Sequence, residues 1–402
     1  MNKRVLLYDL TSAQSPRHGS KYGGMIHYTT AMFHRLIELP CEEVVLKVLY
    51  VPDNFMVQEL YDLCHKNQIE MIPTNENSIV DTVKKIKPDL WFTPNPTKNR
   101  IVDNTVKMIT VCHDIRTTEI YFDKLYWRFI NHWKEWVFLA DSILFNGYFQ
   151  RRNMLKIARS FIGHEHIKFI AISEHTKHHI MVHFPEYFKK EIKVYFSPLL
   201  VAVDDYSKEV SIEDLKNINV QPQNYFFMDS GWRWSKNDLR AAIALDKIFS
   251  DQPQLNMKVV ITGVRNPKPY YHYLKNKEHF VLLNYVERDL LNSLHKYAYA
   301  TIYPTLGEGF GVTPMESFKY GVPVIAGANS SVVEVCGDAA LYCNPNSIQE
   351  IQNRCYQFLD KDIYDLFAFK SKPRYEYITN IQKQHLDDFI RYIYNICINW
   401  EK

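Results

Sequence analysis

The chain has 402 residues, 46% of them hydrophobic and 23% charged, with a formal net charge of +3. That length exceeds one typical core and points to two domains, and so small a charge gives no case for nucleic acid as a partner. Cys41, Cys64, Cys112, Cys336, Cys343, Cys355 and Cys397 are scattered without C-x-x-C spacing, which argues against a zinc cluster or disulfide framework and for a reducing cytosol.

The start, Met1-Asn2-Lys3-Arg4 followed by Val5-Leu6-Leu7-Tyr8, reads as a strand entry and not as a targeting segment. No later run approaches ~18 apolar residues, so any membrane contact is expected to be peripheral. The first strand, Val5 to Asp9, leads into a polar loop from Thr11 that Gly23-Gly24 closes. A helix from Ile26 to Ile37 and a strand from Glu43 to Tyr50 complete a βαβ opening.

Helices follow at Gln58 to Lys66 and Ile79 to Lys87, then a strand at Asp89 to Phe92. Another strand, Val106 to Val111, ends in Cys112-His113-Asp114. A long aromatic, helix-rich region spans Asp123 to Arg159. The strand Lys168 to Ile172 then meets Ser173, a candidate helix cap.

The first domain is expected to close near Ser197 to Leu199, with a polar linker around Val203 to Val220. A second sheet takes Tyr225 to Met228, Val259 to Gly263, Val281 to Leu283, Thr301 to Tyr303 and Val324 to Ile325. This alternation predicts an α/β fold of parallel sheets, in which ligands bind beyond the carboxyl ends of the strands.

After Tyr303, the segment from Thr305 to Gly311 holds three glycines, and a helix is expected to start near Pro314. Backbone N–H groups there suit an anion or a sugar hydroxyl. Glu308 lies in the loop, Glu316 in the helix, and Gly321 is suited to end that helix in a left-handed conformation.

Several residues admit two readings. Gly23 and Gly24 are a plain helix-starting turn or a ligand loop, and His113-Asp114 a polar cap at a sheet edge or part of a crevice. Arg233 and Lys236 form a solvated basic turn or a diphosphate clamp. The stretch from Tyr121 to Phe149, with Tyr126, Trp127, Trp133 and Trp136, is a core helix or a face for acceptor lipid or membrane.

The run E-G-F-G-V-T-P-M-E from Glu308 to Glu316 continues through Gly321-Val322-Pro323-Val324-Ile325-Ala326 and Glu334-Val335-Cys336-Gly337-Asp338. It resembles the retaining GT-B glycosyltransferases, in particular the large bacterial mannosyl- and glucosyltransferase family (family 4, group 1). The resemblance is dense from Tyr225 to Pro345 and thinner before that.

It implies two Rossmann-like domains facing across a cleft, residues 1–199 on the acceptor side and 200–385 on the nucleotide-sugar side. Residues 386–402 would form a last helix returning to the first domain. Gly23 and Gly24 would face donor phosphates and acceptor. His113 would contact a sugar hydroxyl at the reaction centre, and Asp114 would orient it or reach the acceptor.

By the same resemblance Arg233 and Lys236 would neutralise the leaving diphosphate, with Trp232 standing where the family often has the arginine. Glu308 would lie beside the donor sugar and Glu316 would bind the ribose. Phe310, Gly311 and Val312 would give backbone donors, and Tyr285 and Val286 would belong to the base-binding loop. The implied reaction is retaining transfer from a GDP-, UDP- or dTDP-linked sugar to a glycan or lipid-linked acceptor in cell-surface polysaccharide synthesis.

No metal or further cofactor is expected, and the protein would work in the cytoplasm, a setting compatible with peripheral contact at the inner face of the membrane and with a homo-oligomer. A nucleotide-sugar epimerase or phosphorylase of the same fold, or a silent sugar-nucleotide-binding subunit, are the alternatives.

Overall fold

The computed structural model describes residues 3–15, 23–120, 125–130, 132–187, 192–198 and 211–400. The boundary expected at 199/200 and the first part of the expected linker lie outside these residues. The chain forms two compact units: Met1–Ile115 with Arg152–Asp204 and Asn380–Lys402, and Arg116–Arg151 with Asp205–Thr379.

In the first unit β1 (Arg4–Asp9), β2 (Val44–Tyr50), β3 (Glu70–Pro73), β4 (Leu90–Thr93), β5 (Met108–Cys112) and β6 (Ile167–Ala171) lie in the order β3-β2-β1-β4-β5-β6. Every pairing is parallel. Successive strand residues point to opposite faces. Leu7 and Trp91 therefore pack with Ile79, Val83 and Ile180 from the helices Ile79–Ile86 and Glu174–His183.

Tyr8 and Phe92 point the other way. Tyr8 meets Phe33 of the helix Gly24–Glu38 with ring centroids 5.4 Å apart, and Phe92 meets Phe389 at 5.7 Å. Ser173 accepts a hydrogen bond from the Thr176 N–H, the cap its position predicts.

Phe389 belongs to the long helix Lys361–Ile398, whose last part is counted in the first unit. There Phe389 stacks on Tyr195 at 4.6 Å, Arg35 Nε donates to Asp387 Oδ1 at 2.7 Å, and the Tyr394 hydroxyl donates to the Leu36 carbonyl at 2.8 Å. The segment thus covers an apolar face of the sheet and holds it with polar contacts at the rim.

In the second unit β7 (Tyr225–Asp229), β8 (Lys258–Thr262), β9 (Phe280–Leu282), β10 (Ala300–Tyr303), β11 (Val324–Gly327) and β12 (Ala340–Cys343) run in the order β12-β11-β10-β7-β8-β9. This too is an all-parallel sheet. Phe226 and Met228 pack with Leu245, Ile248 and Phe358 on one face, and Tyr225 and Phe227 with Leu215, Leu294 and Ala298 on the other.

Both sheets follow one doubly wound order, in which the chain builds outward from its first strand, returns, and builds the other way. The reversal sits between β1 and β4 in one unit and between β7 and β10 in the other, and such a point opens a crevice beyond the strand ends.

Two strands were not expected from sequence, β3 and β12, both short edge strands with partly exposed residues. The segment Arg116–Arg151, expected with the first domain, groups with the second unit. The reason is aromatic packing: Tyr126 meets Trp234 and Phe129 meets Trp232, each at 5.4 Å between centroids.

Candidate functional site

In the second unit the loops after β7 and β10 are stitched together at the reversal point. Leu306 N–H donates to the Ser235 carbonyl at 2.8 Å, and Thr305 Oγ1 donates to the same oxygen at 3.0 Å. Asn237, in a left-handed conformation with φ 62°, donates its amide to the Pro304 and Pro345 carbonyls at 2.8 and 2.6 Å. The loop after β8 is pressed on them as well. Gly263 has φ +73°, and a Cβ there would stand 2.5 Å from the Gly231 nitrogen.

This stitching fixes Lys236 and Glu308 against each other. Lys236 Nζ lies 3.1 Å from Glu308 Oε1 and donates to the Tyr303 hydroxyl at 2.9 Å, with Lys236 only 6% and Glu308 9% exposed. Arg116 approaches the second carboxylate oxygen at 4.0 Å. Burial alone would raise the Glu308 carboxyl, but Lys236, Arg233 and Arg116 outweigh it and hold the value at about 2. Burial pulls the Lys236 ammonium below its usual value, against the attraction of Glu308. Its charge is therefore little solvated and is directed at its neighbours.

Arg233 is exposed and lines a cavity of about 620 Å³ with Arg116, Arg265, Trp232 and Trp234. Lys236 precedes the helix Asp238–Asp251 within a short 3-10 turn, Trp234–Lys236, and is not at the helix start itself.

Glu316 is held apart from this pair, in the helix Val312–Phe318 that begins two residues before Pro314. Arg288 donates to its Oε1 at 2.6 Å, and His295 Nε2 lies 3.4 Å from its Oε2. Burial would raise this carboxyl also, and Arg288 and His295 bring it to about 2. The His295 ring is held in turn by Ser317 Oγ, 2.8 Å from its Nδ1. Gly311, at φ +90°, caps the helix, Phe310 is buried beside it, and Val312 opens the first turn. On the β9 side Tyr285 is 62% exposed and Val286 half-buried, next to Arg288 in sequence.

In the first unit His113 and Asp114 follow β5 and line a cavity of about 710 Å³ with Thr11, Met25, Asn54 and Arg100. His113 Nε2 is 2.9 Å from the Pro94 carbonyl, and its ring meets Tyr28 edge-on at 4.6 Å. Burial lowers the imidazole pKa, so the neutral ring donates from Nε2 and keeps its lone pair on Nδ1. At the end of β1, buried Asp9 accepts from Arg100 Nε at 2.6 Å and from Thr93 Oγ1 at 2.8 Å. Gly24 starts the helix beside this cavity, Gly23 precedes it, and a Cβ on either would meet nothing within 4 Å.

A family model described as "Glycosyl transferases group 1" matches residues 235–382, the stretch that contains Lys236, Glu308 and Glu316. The O-antigen chain mannosyltransferase RfbU of Salmonella typhimurium is 28% identical over 137 residues, 33% of this chain and 38% of that protein. A glycosyltransferase from Rickettsia africae ESF-5 has the same fold, with a TM-score of 0.61 at 16% identity over 99% of this chain and 100% of its own. The chain has the GT-B fold, and its residues 235–382 match the group 1 glycosyltransferases. HepE of Anabaena, solved in complex with UDP and glucose, superposes with a TM-score of 0.59 at 13% identity over 96% of this chain and 99% of its own. The match to RfbU spans well under half of that relative's length.

Among the residues brought to these sites, Arg116, Arg265, Arg288 and His295 were missed from sequence. Arg288 and His295 are seven apart on the helix Arg288–Tyr297, hence on one face of it, and that spacing is a readable signal. Arg116 opens a three-residue 3-10 turn, Arg116–Thr118, and Arg265 lies in the loop after β8, both too short to show such a pattern. Among the described residues no group of three His, Cys, Asp or Glu side chains is placed to hold a metal ion.

The aromatic helix Trp133–Phe145 departs from the reading as a core helix. Trp133, Trp136, Val137, Phe138, Ile143, Leu144 and Phe145 are all exposed, and of its apolar side chains Leu139 is buried.

Proposed function

We propose that this protein is a glycosyltransferase that moves a hexosyl group from a nucleoside-diphosphate sugar to a glycan or lipid-linked glycan acceptor, with retention, in cytoplasmic assembly of a cell-surface polysaccharide. The observation that carries the reading is the buried Lys236–Glu308 pair at the reversal between β7 and β10. Lys236 and Arg233 stabilise the charge that builds on the departing diphosphate. Glu308 accepts from donor-sugar hydroxyls and favours positive charge at the anomeric carbon, and Glu316 accepts from the ribose hydroxyls.

The acceptor oxygen bonds to the anomeric carbon on the face from which the diphosphate leaves. The bond from that carbon to the phosphate oxygen breaks, and the acceptor proton passes to the β-phosphate. Phe310, Gly311 and Val312 offer backbone contacts to sugar or phosphate, and Tyr285 and Val286 flank the base. In the first unit Gly23, Gly24, His113 and Asp114 are assigned to the acceptor and to sugar hydroxyls. RfbU is a mannosyltransferase by name, and HepE was solved with UDP and glucose, so mannosyl and glucosyl donors are tried first among GDP-, UDP- and dTDP-linked sugars.

The test is a screen of these nucleotide sugars that detects free nucleotide and glycosylated acceptor together. Coupled release of nucleotide and product supports the reading. Epimerised donor without acceptor, phosphate-dependent cleavage, or tight binding without turnover would replace it with an epimerase, a phosphorylase or a silent binding subunit.

A further inference from the structure

Residues 133–149 carry the largest run of exposed apolar side chains among the described residues. Trp133 and Leu144 are each 71% exposed, Ile143 65%, and Trp136, Val137, Phe145, Tyr148 and Phe149 between 54% and 56%. On the helix Trp133–Phe145, Trp133, Trp136, Val137, Ala140 and Leu144 recur at helical spacing, so they form one stripe that faces solvent. Scattered single exposed hydrophobics need no explanation, but a contiguous patch of this kind marks an interaction surface.

The charges around the patch select what covers it. Its two carboxylates are engaged by backbone: partly exposed Glu135 accepts from the His132 N–H at 3.1 Å, and buried Asp141 accepts from the N–H groups of Phe149 and Gln150 at 3.2 and 3.0 Å. Both thereby cap helix starts. The cations are at the rim. Lys134 is exposed beside Trp133, Arg151 donates to the Asn146 carbonyl at 2.6 Å, and Arg128 lies over the ring of Trp127, itself 40% exposed.

An apolar and aromatic face with a cationic rim complements an anionic bilayer surface, where rings settle at headgroup level and Lys and Arg reach lipid phosphates. A second copy of the chain fits less well, since a symmetric pairing would bring Lys134 and Arg151 of both copies together while Glu135 and Asp141 are held by their own backbone. Among the described residues no helix is long and apolar enough to cross a membrane, which leaves this face to lie on one.

We propose that residues 133–149 bind the surface of a bilayer rich in anionic lipid, with Trp133, Trp136 and Leu144 inserted among the headgroups and Lys134 and Arg151 against lipid phosphate. This inference does not depend on the donor or acceptor chemistry proposed above.

The test is flotation of the full chain with phosphatidylcholine vesicles, with and without phosphatidylglycerol. The wild type is expected to float with the anionic vesicles and far less with the neutral ones. W133S/W136S/L144S is expected to bind them at least about tenfold more weakly, with circular dichroism and donor affinity unchanged. K134E/R151E is expected to lose the preference for anionic lipid and to keep the weak neutral binding.

Quenching of wild-type tryptophan emission by brominated lipid needs no variant, and its occurrence at saturating vesicles is the expected result. Absence of quenching, equal flotation of wild type and W133S/W136S/L144S, or a dimer that this variant abolishes without any vesicle binding would each overturn the proposal.

Discussion

Lys236 Nζ sits 3.1 Å from Glu308 Oε1, a contact between two loops that follow different strands of one sheet. Each side chain limits what the other can do: the carboxylate opposes the downward pull of burial on the ammonium, and the ammonium helps keep the buried carboxylate ionised.

Replacing Lys236 by Ala is therefore expected to act twice. Transfer should fall about 100- to 1,000-fold in kcat/KM, because the charge that meets the leaving diphosphate is lost. Stability should fall by up to about 3–5 kcal/mol, since a buried carboxylate loses its closest partner, with Arg116 at 4.0 Å keeping the loss toward the lower end. Adding Glu308→Gln should return part of that stability and none of the activity. Urea unfolding and steady-state kinetics on the single and double variants check this. Wild-type kcat/KM in folded Lys236→Ala would remove Lys236 from the reaction.

The acid limb of stability follows from the same groups. Glu308 and Glu316 are each brought from 4.5 to about 2 in the fold. A carboxyl with a lowered folded value stabilises the fold fully above its unfolded value, and that contribution drains away as pH falls toward the folded one. Stability should thus decline from about pH 4.5 down to about pH 2. Glu316→Gln should flatten that decline, as read from thermal midpoints across the range. An acid limb identical to wild type would mean that Glu316 is not held low.

Glu316→Ala is expected to weaken donor binding by about 1–3 kcal/mol through lost ribose hydrogen bonds, with a smaller effect on kcat. Arg288→Leu should weaken it less, because Arg288 holds Glu316 in position from 2.6 Å and His295 remains on the other oxygen. Calorimetry with donor nucleotide decides both. Wild-type affinity in Glu316→Ala would end its assignment to the ribose.

The sequence makes the strands and the glycine loop readable because β7 to β11 are short apolar runs closed by turn residues, and because E-G-F-G-V-T-P-M-E is a dense local pattern. It marks Lys236 and Glu308 separately as ligand-facing, but their pairing depends on the strand order and on Asn237 tying the loops, neither of which is local. The edge strands β3 and β12 escape notice because a partly exposed four-residue strand has too little apolar signal. For Trp133 to Phe145 the periodicity reads correctly as a helix, yet nothing in it tells which face meets solvent. Leu139 is buried while Trp133 and Trp136 are not, an outcome set by the packing of Tyr126 and Phe129 onto Trp234 and Trp232.

Gly263→Ala provides a backbone test of the site. The residue has φ +73°, and the new Cβ would stand 2.5 Å from the nitrogen and 2.7 Å from the Cα of Gly231, backbone atoms that cannot swing aside. The loop from Ser230 to Lys236 must shift, and a displacement on this scale is enough to misplace a catalytic charge. We expect at least about a tenfold loss of kcat/KM, besides the roughly 1–3 kcal/mol that a left-handed non-glycine residue costs. Gly321→Ala is the matched control: its φ is +76°, and its Cβ would lie 3.5 Å from the flexible end of Lys372. It should lose comparable stability and keep its activity. Equal activity losses in the two variants would show that general destabilisation, and not the position of the Lys236 loop, sets the rate.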